Sequence, residues 1–284
     1  MERFSFAGHK EFPPDSVFFG WQISGVPDYD REMIIPAGCI EIIFNFSDDR
    51  ITYGPGNSRE DDGRIGCGPG GGREDVLPRC FISGINTVPV VLDHSSHHAF
   101  FGLRLHPQVV RPLVSVPSGE FINKTVDLTL LDPMFNRLWH ELYPAGFEGR
   151  TAIIRKWIRQ AWDVPRHLDI AIGGFFAGPV QDMTVAHLAD QFCSSQRNLT
   201  RKFNELLGMS TEQALLYKKY LHALGLVHYT DHSLTEIAYR SKFYDQSHFT
   251  REFRRYSGLT PKDYRKYKGA VCGHIYRQRV NGVM

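Results

Sequence analysis

Apolar and polar positions in the last hundred residues follow the period of an amphipathic helix in two separate segments. Within each segment, three apolar residues lie at i, i+4 and i+7, which places them on one helix face that packs against a core. These residues are Leu199, Phe203 and Leu206 in the first segment and Phe249, Phe253 and Tyr256 in the second. A shorter helix followed by a brief turn is predicted before each segment. The shorter helices cover residues 185–191 before the first segment and 234–240 before the second.

The two segments belong to an internal repeat of the chain. Leu188-Ala189 recurs as Ile237-Ala238 at an offset of 49 residues, and Gly208 recurs as Gly258 at an offset of 50, because one residue is inserted between these positions. A short helix, a turn and a second helix form the helix-turn-helix motif. The sequence therefore predicts two copies of a unit that binds DNA.

The opposite face of each second helix is polar. Arg, Gln, Ser and Thr side chains form hydrogen bonds to base edges and phosphate oxygens when a helix lies in the major groove of DNA. The residues predicted to contact DNA are Gln196, Arg197, Thr200, Arg201, Lys202, Gln246, Ser247, Thr250, Arg251, Arg254 and Arg255. We assign Lys202, Arg254 and Arg255, together with Lys219, to phosphate contacts or structural roles, and the other residues to base edges.

Four short motifs carry a resemblance to a known family. They are residues 195–203 (SQRNLTRKF), 236–238 (EIA), 245–249 (DQSHF) and 258–261 (GLTP). Residues from about 167 to 266 resemble the C-terminal domain of AraC-family transcription regulators. The resemblance implies an all-α domain of about seven helices, in which a long helix near residues 211–224 joins two units that enter successive major grooves roughly 34 Å apart.

Two residues depart from the family pattern. Lys242 stands where the family usually has a glycine before the second reading helix, so the backbone there either avoids a positive φ or carries strain. On the linking helix Lys219 replaces the usual arginine, which keeps the charge but loses the bidentate fork of a guanidinium group. We expect the fold to survive both changes.

Charge is distributed unevenly along the 284 residues, although the formal net charge is only +2. Residues 180–284 contain 16 Lys and Arg against 9 Asp and Glu, whereas residues 1–179 contain 17 against 22. Only the C-terminal part therefore has the positive excess that favours a polyanion. The length is sufficient for two domains.

The first 165 residues have the signals of strands, followed by helices. Strands are predicted over residues 40–46, 88–92 and 101–105, and helices over residues 131–142 and 152–162. The segments at 36–44 (PAGCIEIIF) and 101–107 (FGLRLHP) are similar to the cupin-like N-terminal domain of some AraC-type regulators.

The predicted fold class is therefore α+β. A β-rich, cupin-like N-terminal domain with a helical bridge precedes an all-α C-terminal domain with two helix-turn-helix units. The predicted boundaries are 1–165 for a sensor or dimerisation domain, 166–268 for the DNA-binding domain and 269–284 for a tail. Residues 54–75 contain eight glycines and are predicted to form a long mobile loop between strands. Their G-x-G-x-x-G match at 66–71 lacks the flanking strand and helix of a phosphate-binding loop.

Polar residues of the N-terminal half form a candidate ligand site. Glu41, Asn45 and Arg104, with His106, could share one strand face and line a barrel lumen, while Trp21 could stack on a ligand. The alternatives are exposure to solvent, a surface ion pair between Glu41 and Arg104, and a core position for Trp21.

A group of histidines is the most enzyme-like feature of the chain. His94 and His97 are three residues apart, so on a strand they point to opposite faces, and the adjacent His97 and His98 also diverge. We therefore expect a polar surface cluster, with His106 nearby, and no metal site. No nucleophile with a neighbouring base is recognisable. We predict no catalysis, no metal and no cofactor.

The five cysteines show no close pairing and are expected to be reduced thiols. The N-terminus lacks a basic segment followed by an apolar one, and no apolar run approaches the ~18 residues that span a bilayer. The chain is therefore expected to be a cytoplasmic protein with no membrane partner.

The expected function is that of a sequence-specific transcription regulator of the AraC type. Its expected partners are double-stranded promoter DNA, RNA polymerase, a small-molecule effector of unknown identity and a second copy of the chain. Two alternatives remain open. The N-terminal domain could serve only dimerisation or protein contacts, or it could be a cupin metalloenzyme fused to a DNA-binding module.

Overall fold

The computed structural model describes residues 2–5, 18–48, 50–61, 64–69, 75–93, 97–161 and 167–278. The strands are β1 Glu2–Ser5, β2 Phe18–Gly25, β3 Tyr29–Ile34, β4 Ile40–Asn45, β5 Thr52–Asp61, β6 Arg64–Pro69, β7 Asp75–Val76, β8 Cys80–Ser83, β9 Val90–Asp93, β10 His98–Leu105, β11 Thr125–Asp127 and β12 His274–Gln278. The α-helices are α1 Pro107–Val114, α2 Met134–Leu142, α3 Phe147–Ala161, α4 His167–Gly173, α5 Val185–Gln191, α6 Gln196–Leu207, α7 Thr211–Tyr229, α8 Leu234–Arg240, α9 Gln246–Ser257 and α10 Pro261–Tyr267. Two 3-10 helices cover Ser118–Phe121 and Leu128–Leu130.

The strands form two antiparallel sheets. The first has the order β1-β2-β10-β4-β8-β11, and the second has the order β12-β3-β9-β5-β6, with β7 paired to β5. The β-branched and aromatic residues of β4 and β10 favour extended backbone and pack well on a pleated surface. Their register places Arg104 opposite Glu41, and β2 places Trp21 opposite Gly102. The α+β fold class predicted from the sequence is confirmed.

Two apolar clusters stabilise these layers. The larger one extends from sheet residues such as Met33 and Phe101 to helix residues such as Tyr217 and Phe253, all of which are fully buried. The smaller one contains residues from both sheets, including Phe81 and partly buried neighbours in β2, β5 and β9. Apolar burial, the dominant favourable contribution to folding, therefore continues from the N-terminal half into the C-terminal half.

The glycine-rich segment corrects one prediction. Residues 54–69, expected to be part of a mobile loop, lie mainly in β5 and β6, which pair from Gly56 with Pro69 to Asp61 with Arg64. The composition argument considered only apolar side-chain burial, whereas the ladder is formed by backbone groups that glycine retains. Residues 62–63 and 70–74 of the segment lie outside the described residues.

The C-terminal end of the chain returns to the N-terminal half. Residues 274–278, which we expected to belong to a tail, form β12 beside β3, with His274 opposite Ile34. Ile275 of this strand is buried beside Met33. Long-range strand pairing of this kind leaves no local signature in the sequence.

Hydrogen bonds from the linking helix α7 also join the two halves. The Tyr217 hydroxyl donates to the Asn86 carbonyl at 2.8 Å and accepts from the Gly38 backbone N–H at 3.1 Å. The Tyr220 hydroxyl donates to the Pro36 carbonyl at 3.0 Å. Both tyrosines are fully buried, so their hydroxyl groups have no water to bond with, and these bonds supply the partners that they need.

Among the described residues, no helix combines the length and the apolar character needed to cross a membrane.

Candidate nucleic-acid interface

The first reading helix, α6, has sequence-encoded ends. The Ser195 hydroxyl caps its N-terminus by accepting from the Asn198 backbone N–H at 3.2 Å. Gly208 ends it in the left-handed conformation, with φ of 68°. Leu199 and Phe203 are fully buried, as the i, i+4 spacing predicted. The polar face of α6 is thereby directed away from the core.

The second reading helix, α9, repeats this construction. Asp245 caps it by accepting from the His248 backbone N–H at 2.7 Å, and Gly258 ends it with φ of 74°. Phe249 and Phe253 are fully buried. Both helices contain 12 residues. The repeat seen in the sequence is therefore a repeat of structure.

The turns before the reading helices share a left-handed residue. Cys193 has φ of 47° and Lys242 has φ of 61°. The backbone N–H of each residue donates to the carbonyl oxygen of the residue three positions earlier, at 3.0 Å. Lys242 thus adopts the positive φ for which the family usually uses glycine, at a cost of about 1 to 2 kcal/mol. Its ammonium lies 5.5 Å from the centre of the Tyr239 ring, a cation–π contact. The inserted residue of the repeat lies after this turn, and Tyr244 there is 92% exposed.

Most of the predicted DNA contacts lie on the solvent side of these helices. The exposed ones are Gln196, Arg197, Arg201, Gln246, Ser247, Arg251, Arg254 and Arg255. Thr200 and Thr250, which occupy equivalent positions, are half-buried. Each reading helix therefore presents a polar, mostly cationic face of the composition that contacts DNA.

Lys202 is the exception among the predicted contacts. Its side chain is 7% exposed, and its ammonium lies 2.8 Å from Asp169 Oδ1 and 3.3 Å from Glu205 Oε2. A buried lysine needs such partners because removing its charge from water is expensive. The assignment of Lys202 to DNA contact is therefore wrong, and its role is the structural alternative.

Sequence reasoning missed the partners of this lysine. Glu205 also receives hydrogen bonds from Arg201, on the same helix, and from Arg111, on α1. Ser118 donates to the Leu206 carbonyl at 2.6 Å, so the C-terminal end of α6 rests against the N-terminal half. Of the two carboxylates that pair with Lys202, only Glu205, three residues later on the same helix, could be inferred from the sequence.

The two reading helices differ in the contacts of their outward side chains. Arg201 bonds Asn198 Oδ1 at 3.0 Å as well as Glu205, whereas Arg251 is 72% exposed and lies 3.5 Å from Glu252. Gln246, the first residue of α9, accepts a hydrogen bond from the Thr235 hydroxyl at 2.7 Å. These differences arise from substitutions between the two copies of the repeat.

Lys219 lies on α7, and its ammonium is 3.1 Å from Asp182 Oδ1. Its side chain is less exposed than that of its partner. The Lys219 ammonium, which stands in place of the usual arginine, therefore makes one ion pair within the described part of the chain, consistent with a structural role.

Three of the four candidate ligand residues of the N-terminal half come together. Trp21 Nε1 and Arg104 Nε both donate to Glu41 Oε1, at 3.1 Å and 3.0 Å. The indole lies against Gly102, where any Cβ would meet it at 2.2 Å. Arg104 is 46% exposed, so its guanidinium group is accessible from solvent. The ion pair between Glu41 and Arg104, one of the alternatives to a ligand site, is therefore present.

Asn45 is separate from this cluster. It lies four residues after Glu41 on β4, about 13 Å along the strand. Its Oδ1 accepts from the Ser47 backbone N–H at 3.0 Å, and its carbonyl accepts from Trp139 Nε1 at 2.9 Å. Asn45 is buried and its contacts stabilise the strand end.

The described histidines have different surroundings. His97 contacts the Ser24 hydroxyl at 3.4 Å, His98 is buried beside Phe100, and the Nδ1 atom of His106 lies 3.3 Å from the Gly173 carbonyl. His94 lies outside the described residues. In the part of the chain that the structure covers, no three His, Cys, Asp or Glu side chains are grouped as a metal site requires.

The cysteines that the structure describes with side chains are free thiols. They are Cys39, Cys80, Cys193 and Cys272. Burial raises the pKa of the Cys39 thiol to about 11, and it also raises the pKa of Cys80. Such thiols are protonated at neutral pH and react slowly.

Comparison with known proteins gives matches to both halves. A family model described as a helix-turn-helix domain covers residues 188–267, and one described as a domain of unknown function (DUF6597) covers residues 16–127. The HTH-type transcriptional activator RhaS of Salmonella arizonae is 37% identical over 84 residues, which are 30% of this chain and 30% of that protein. The match therefore spans under a third of the curated relative's length.

Solved structures are also similar to this chain. The DNA-binding domain of AdpA in complex with a target DNA is 28% identical, covers 35% of this chain and 89% of that chain, and has a TM-score of 0.33. ToxT from Vibrio cholerae O395 is 9% identical, covers 90% of this chain and 99% of that chain, and has a TM-score of 0.48.

The repeat, its capped helices and the sequence matches agree over the same residues. Residues 188–267 form a helix-turn-helix domain of the AraC type with two such units.

Proposed function

We propose that the chain is a transcription regulator that binds promoter DNA with α6 in one major groove and α9 in the next. The observation that carries this proposal is the repeated placement of outward polar residues. Positions 196, 197, 200 and 201 recur as 246, 247, 250 and 251, with the same burial in each copy. A solvated basic surface would not require two copies of one cap, one core pattern and one outward face.

The linking helix supports binding to two successive grooves. α7 follows α6 directly and contains 19 residues, which corresponds to a length of about 28 Å. Successive major grooves on one face of DNA are roughly 34 Å apart. α7 packs against both reading helices, and its length is of the same order as this groove spacing.

The outward residues divide into two groups of proposed contacts. Gln196, Arg197 and Arg201 on α6 read base edges, as do Gln246, Ser247 and Arg251 on α9. The half-buried Thr200 and Thr250 lie beside these base-reading residues on their helices. Arg254 and Arg255, about one turn beyond Arg251 on α9, bind phosphates. The base contacts provide sequence discrimination, and the phosphate contacts provide position and salt dependence.

We propose that the N-terminal half adjusts this binding in response to a small-molecule effector. The cluster of Trp21, Glu41 and Arg104 offers an aromatic ring, a carboxylate and an accessible guanidinium group in one place. The buried bonds of Tyr217 and Tyr220 give this half a direct connection to α7. An effector acts through them only if it binds two arrangements of the halves with different affinities.

The remaining partners are also proposals. RhaS is named an activator, and we propose activation through RNA polymerase for this chain as well. We also propose a homodimer formed by the N-terminal half, which would bring four reading helices to one promoter. A second candidate role for that half is protein contact alone.

Purified full-length protein tests the proposal directly. Genomic fragments from the source organism are selected by the protein and sequenced, and we expect one motif with two half-sites to be enriched. The double variant Arg197→Ala, Arg251→Ala should fold and lose the enrichment. A folded wild-type chain that enriches no motif would contradict DNA-sequence recognition.

A metabolite library distinguishes the two roles of the N-terminal half. Thermal protection by one compound, lost in Trp21→Ala and in Arg104→Ala but kept in Arg197→Ala, supports an effector site. Absence of protection across the library, together with a dimer in sedimentation, supports the role in protein contact.

A further inference from the structure

We infer that the 3-10 helix Ser118–Phe121 of the N-terminal half is a positioning element for the first reading helix, α6. Recognition of the half-site that α6 reads, and not of the one that α9 reads, would then depend on the N-terminal half. The inference rests on the proposed function, because it concerns how one proposed reading helix is held. It comes from a difference between the two units at the C-terminal end of the reading helix.

The end of α6 receives a hydrogen bond from the N-terminal half. The last carbonyl groups of a helix have no partner within the helix itself. One of them, the Leu206 carbonyl, accepts from the Ser118 hydroxyl at 2.6 Å. A carbonyl oxygen can only accept, so Ser118 must be the donor. Ser118 is 2% exposed, and the bond is therefore shielded from water.

The two backbones also approach each other closely at this point. A Cβ atom on Gly119 would lie 2.1 Å from the Asn204 carbonyl oxygen and 2.8 Å from that of Glu205. A Cβ atom on Gly208, which ends α6, would lie 2.6 Å from the Gly119 carbonyl oxygen. Beside this contact, Arg111 of α1 forms an ion pair with Glu205 at 3.1 Å. Any larger residue at Gly119 would therefore force the 3-10 helix and α6 apart.

The end of α9 is held by side chains of its own unit. The hydroxyl of the fully buried Ser257 lies 2.7 Å from the Phe253 carbonyl and 3.0 Å from the Leu259 carbonyl, and either can accept its proton. The same hydroxyl accepts from the Leu259 backbone N–H at 3.2 Å. At the position equivalent to Glu205, α9 has Arg255, which pairs with a glutamate of the same helix. The second unit thus makes internally the contacts that the first unit takes from the N-terminal half.

The contact supports the reading face of α6 without covering it. Arg197 and Arg201 are both exposed, and Arg197 lies nine residues from Leu206, about 13 Å along the helix. A binding group must be held within about 0.5 Å and 10 to 20° of its productive position. A buried carbonyl without a donor favours opening of the last turn, because water is then within reach. The contact therefore keeps α6 in the arrangement that reads DNA.

The experiment measures the two half-sites separately with the full-length protein. In the selected DNA, the half-site of α6 is the one whose preference Arg197→Ala relaxes. Affinities are measured for the intact duplex and for duplexes in which one half-site is scrambled. The ratio of intact to scrambled affinity gives the discrimination at each half-site. A smaller folded fraction lowers both affinities equally, so destabilisation alone leaves the ratio unchanged.

Two variants alter the contact, and two others are matched controls. Ser118→Ala should lower discrimination at the half-site of α6 about twofold to tenfold and leave the other half-site unchanged. Gly119→Ala should lower it further, because the backbones must separate. Gly146→Ala should change neither ratio, since no atom lies within 4 Å of a Cβ atom there. Ser257→Ala should give the reverse pattern, with the loss at the half-site of α9.

A reciprocal measurement uses the wild-type chain and does not depend on whether a variant folds. If the contact favours DNA binding, DNA binding must favour the contact to the same extent. The Glu120 and Ile122 backbone N–H groups form the hydrogen bonds of the 3-10 helix. Their hydrogen exchange should be slower with the intact duplex than with the duplex whose α6 half-site is scrambled.

The inference is overturned if Ser118→Ala and Gly119→Ala fold and keep the wild-type discrimination at the half-site of α6. An equal loss at both half-sites would also overturn it, because a merely structural contact would act in that way. A gain of affinity in either variant, or faster exchange of the two amides on intact DNA, would show that the N-terminal half restrains α6 instead. Failure of the proposed function is distinguishable, because the wild-type chain would then select no sequence before any variant is made.

Discussion

Replacement of Lys202 by methionine separates a structural role from a DNA contact. Methionine has a similar length, so the variant mainly removes the charge that faces Asp169 and Glu205. Breaking a fully buried ion pair by removing one partner costs about 3 to 5 kcal/mol. The two carboxylates here are 17% and 21% exposed, and Glu205 keeps Arg111 and Arg201 as partners. We therefore expect a loss of about 2 to 3 kcal/mol in the free energy of unfolding.

Two assays applied to the same protein give the answer. Urea unfolding followed by circular dichroism measures the loss of stability. Titration of DNA at several salt concentrations measures the number of phosphate contacts, since each one contributes about −0.9 to the slope of log K against log salt. Lys202→Met should leave this slope unchanged at temperatures where it is folded. Arg254→Ala is the control, because its exposed guanidinium group is a proposed phosphate contact whose removal should reduce the slope by about 0.9.

The partner residue provides a further check. Asp169→Asn should also destabilise the chain, and the double variant with Lys202→Met should lose less than the sum of the two single losses. The reasoning is refuted if Lys202→Met unfolds at the same urea concentration as the wild-type chain and reduces the salt slope by about 0.9.

Four other predictions follow from the same structure. Arg197→Ala should lose about 1 to 3 kcal/mol of binding to the preferred sequence and relax discrimination at one base pair, and an equal loss on unrelated DNA would make it a phosphate contact. Phe253→Asp should abolish the helical circular dichroism of the second unit, because it places a charge in the core, and a native spectrum would contradict this. Tyr220→Phe should lose about 1 kcal/mol in urea unfolding by leaving the Pro36 carbonyl without its donor. An unchanged midpoint would show that water replaces that donor. Burial lowers the pKa of His228, so the folded state prefers its neutral form, and stability should fall as the pH drops below the usual histidine value of about 6.5. Substituting His228 with glutamine should flatten that pH profile, and an unaltered slope would assign it to other groups.

The reading units were predictable because their signals are local. Spacing of Leu199 and Phe203 gave the buried face of α6, and the repeat then gave α9 without further assumptions. The caps at Ser195 and Asp245 are residue types that start helices. These elements depend on neighbours within about one or two turns, so they can be derived from a single sequence.

The sequence already indicated that the Lys202 side chain faces the core of the domain and not DNA. Lys202 lies three residues after Leu199 and four before Leu206, which places it on the inward face of α6. Its positive charge suggested DNA, while its position in the helix indicated the core. The partner Asp169 lies 33 residues earlier in the chain and is brought near only by tertiary packing.

The N-terminal half was less predictable because its contacts are long-range. Pairing of β12 with β3 joins residues about 240 positions apart, and no periodicity in either segment indicates the other. The meeting of Trp21, Glu41 and Arg104 depends on the register of β2, β10 and β4. Their residue types suggested a ligand site, but only the sheet order shows that Asn45 is elsewhere.

Contact with two successive major grooves is the central claim, and interference footprinting of the selected site tests it most directly. Methylation of guanine N7 blocks the major groove, so the account predicts two interference patches on one face of the DNA, separated by about 10 to 10.5 base pairs. Arg197→Ala should weaken one patch and Arg251→Ala the other. A single patch, or two patches on opposite faces of the DNA, would contradict the account.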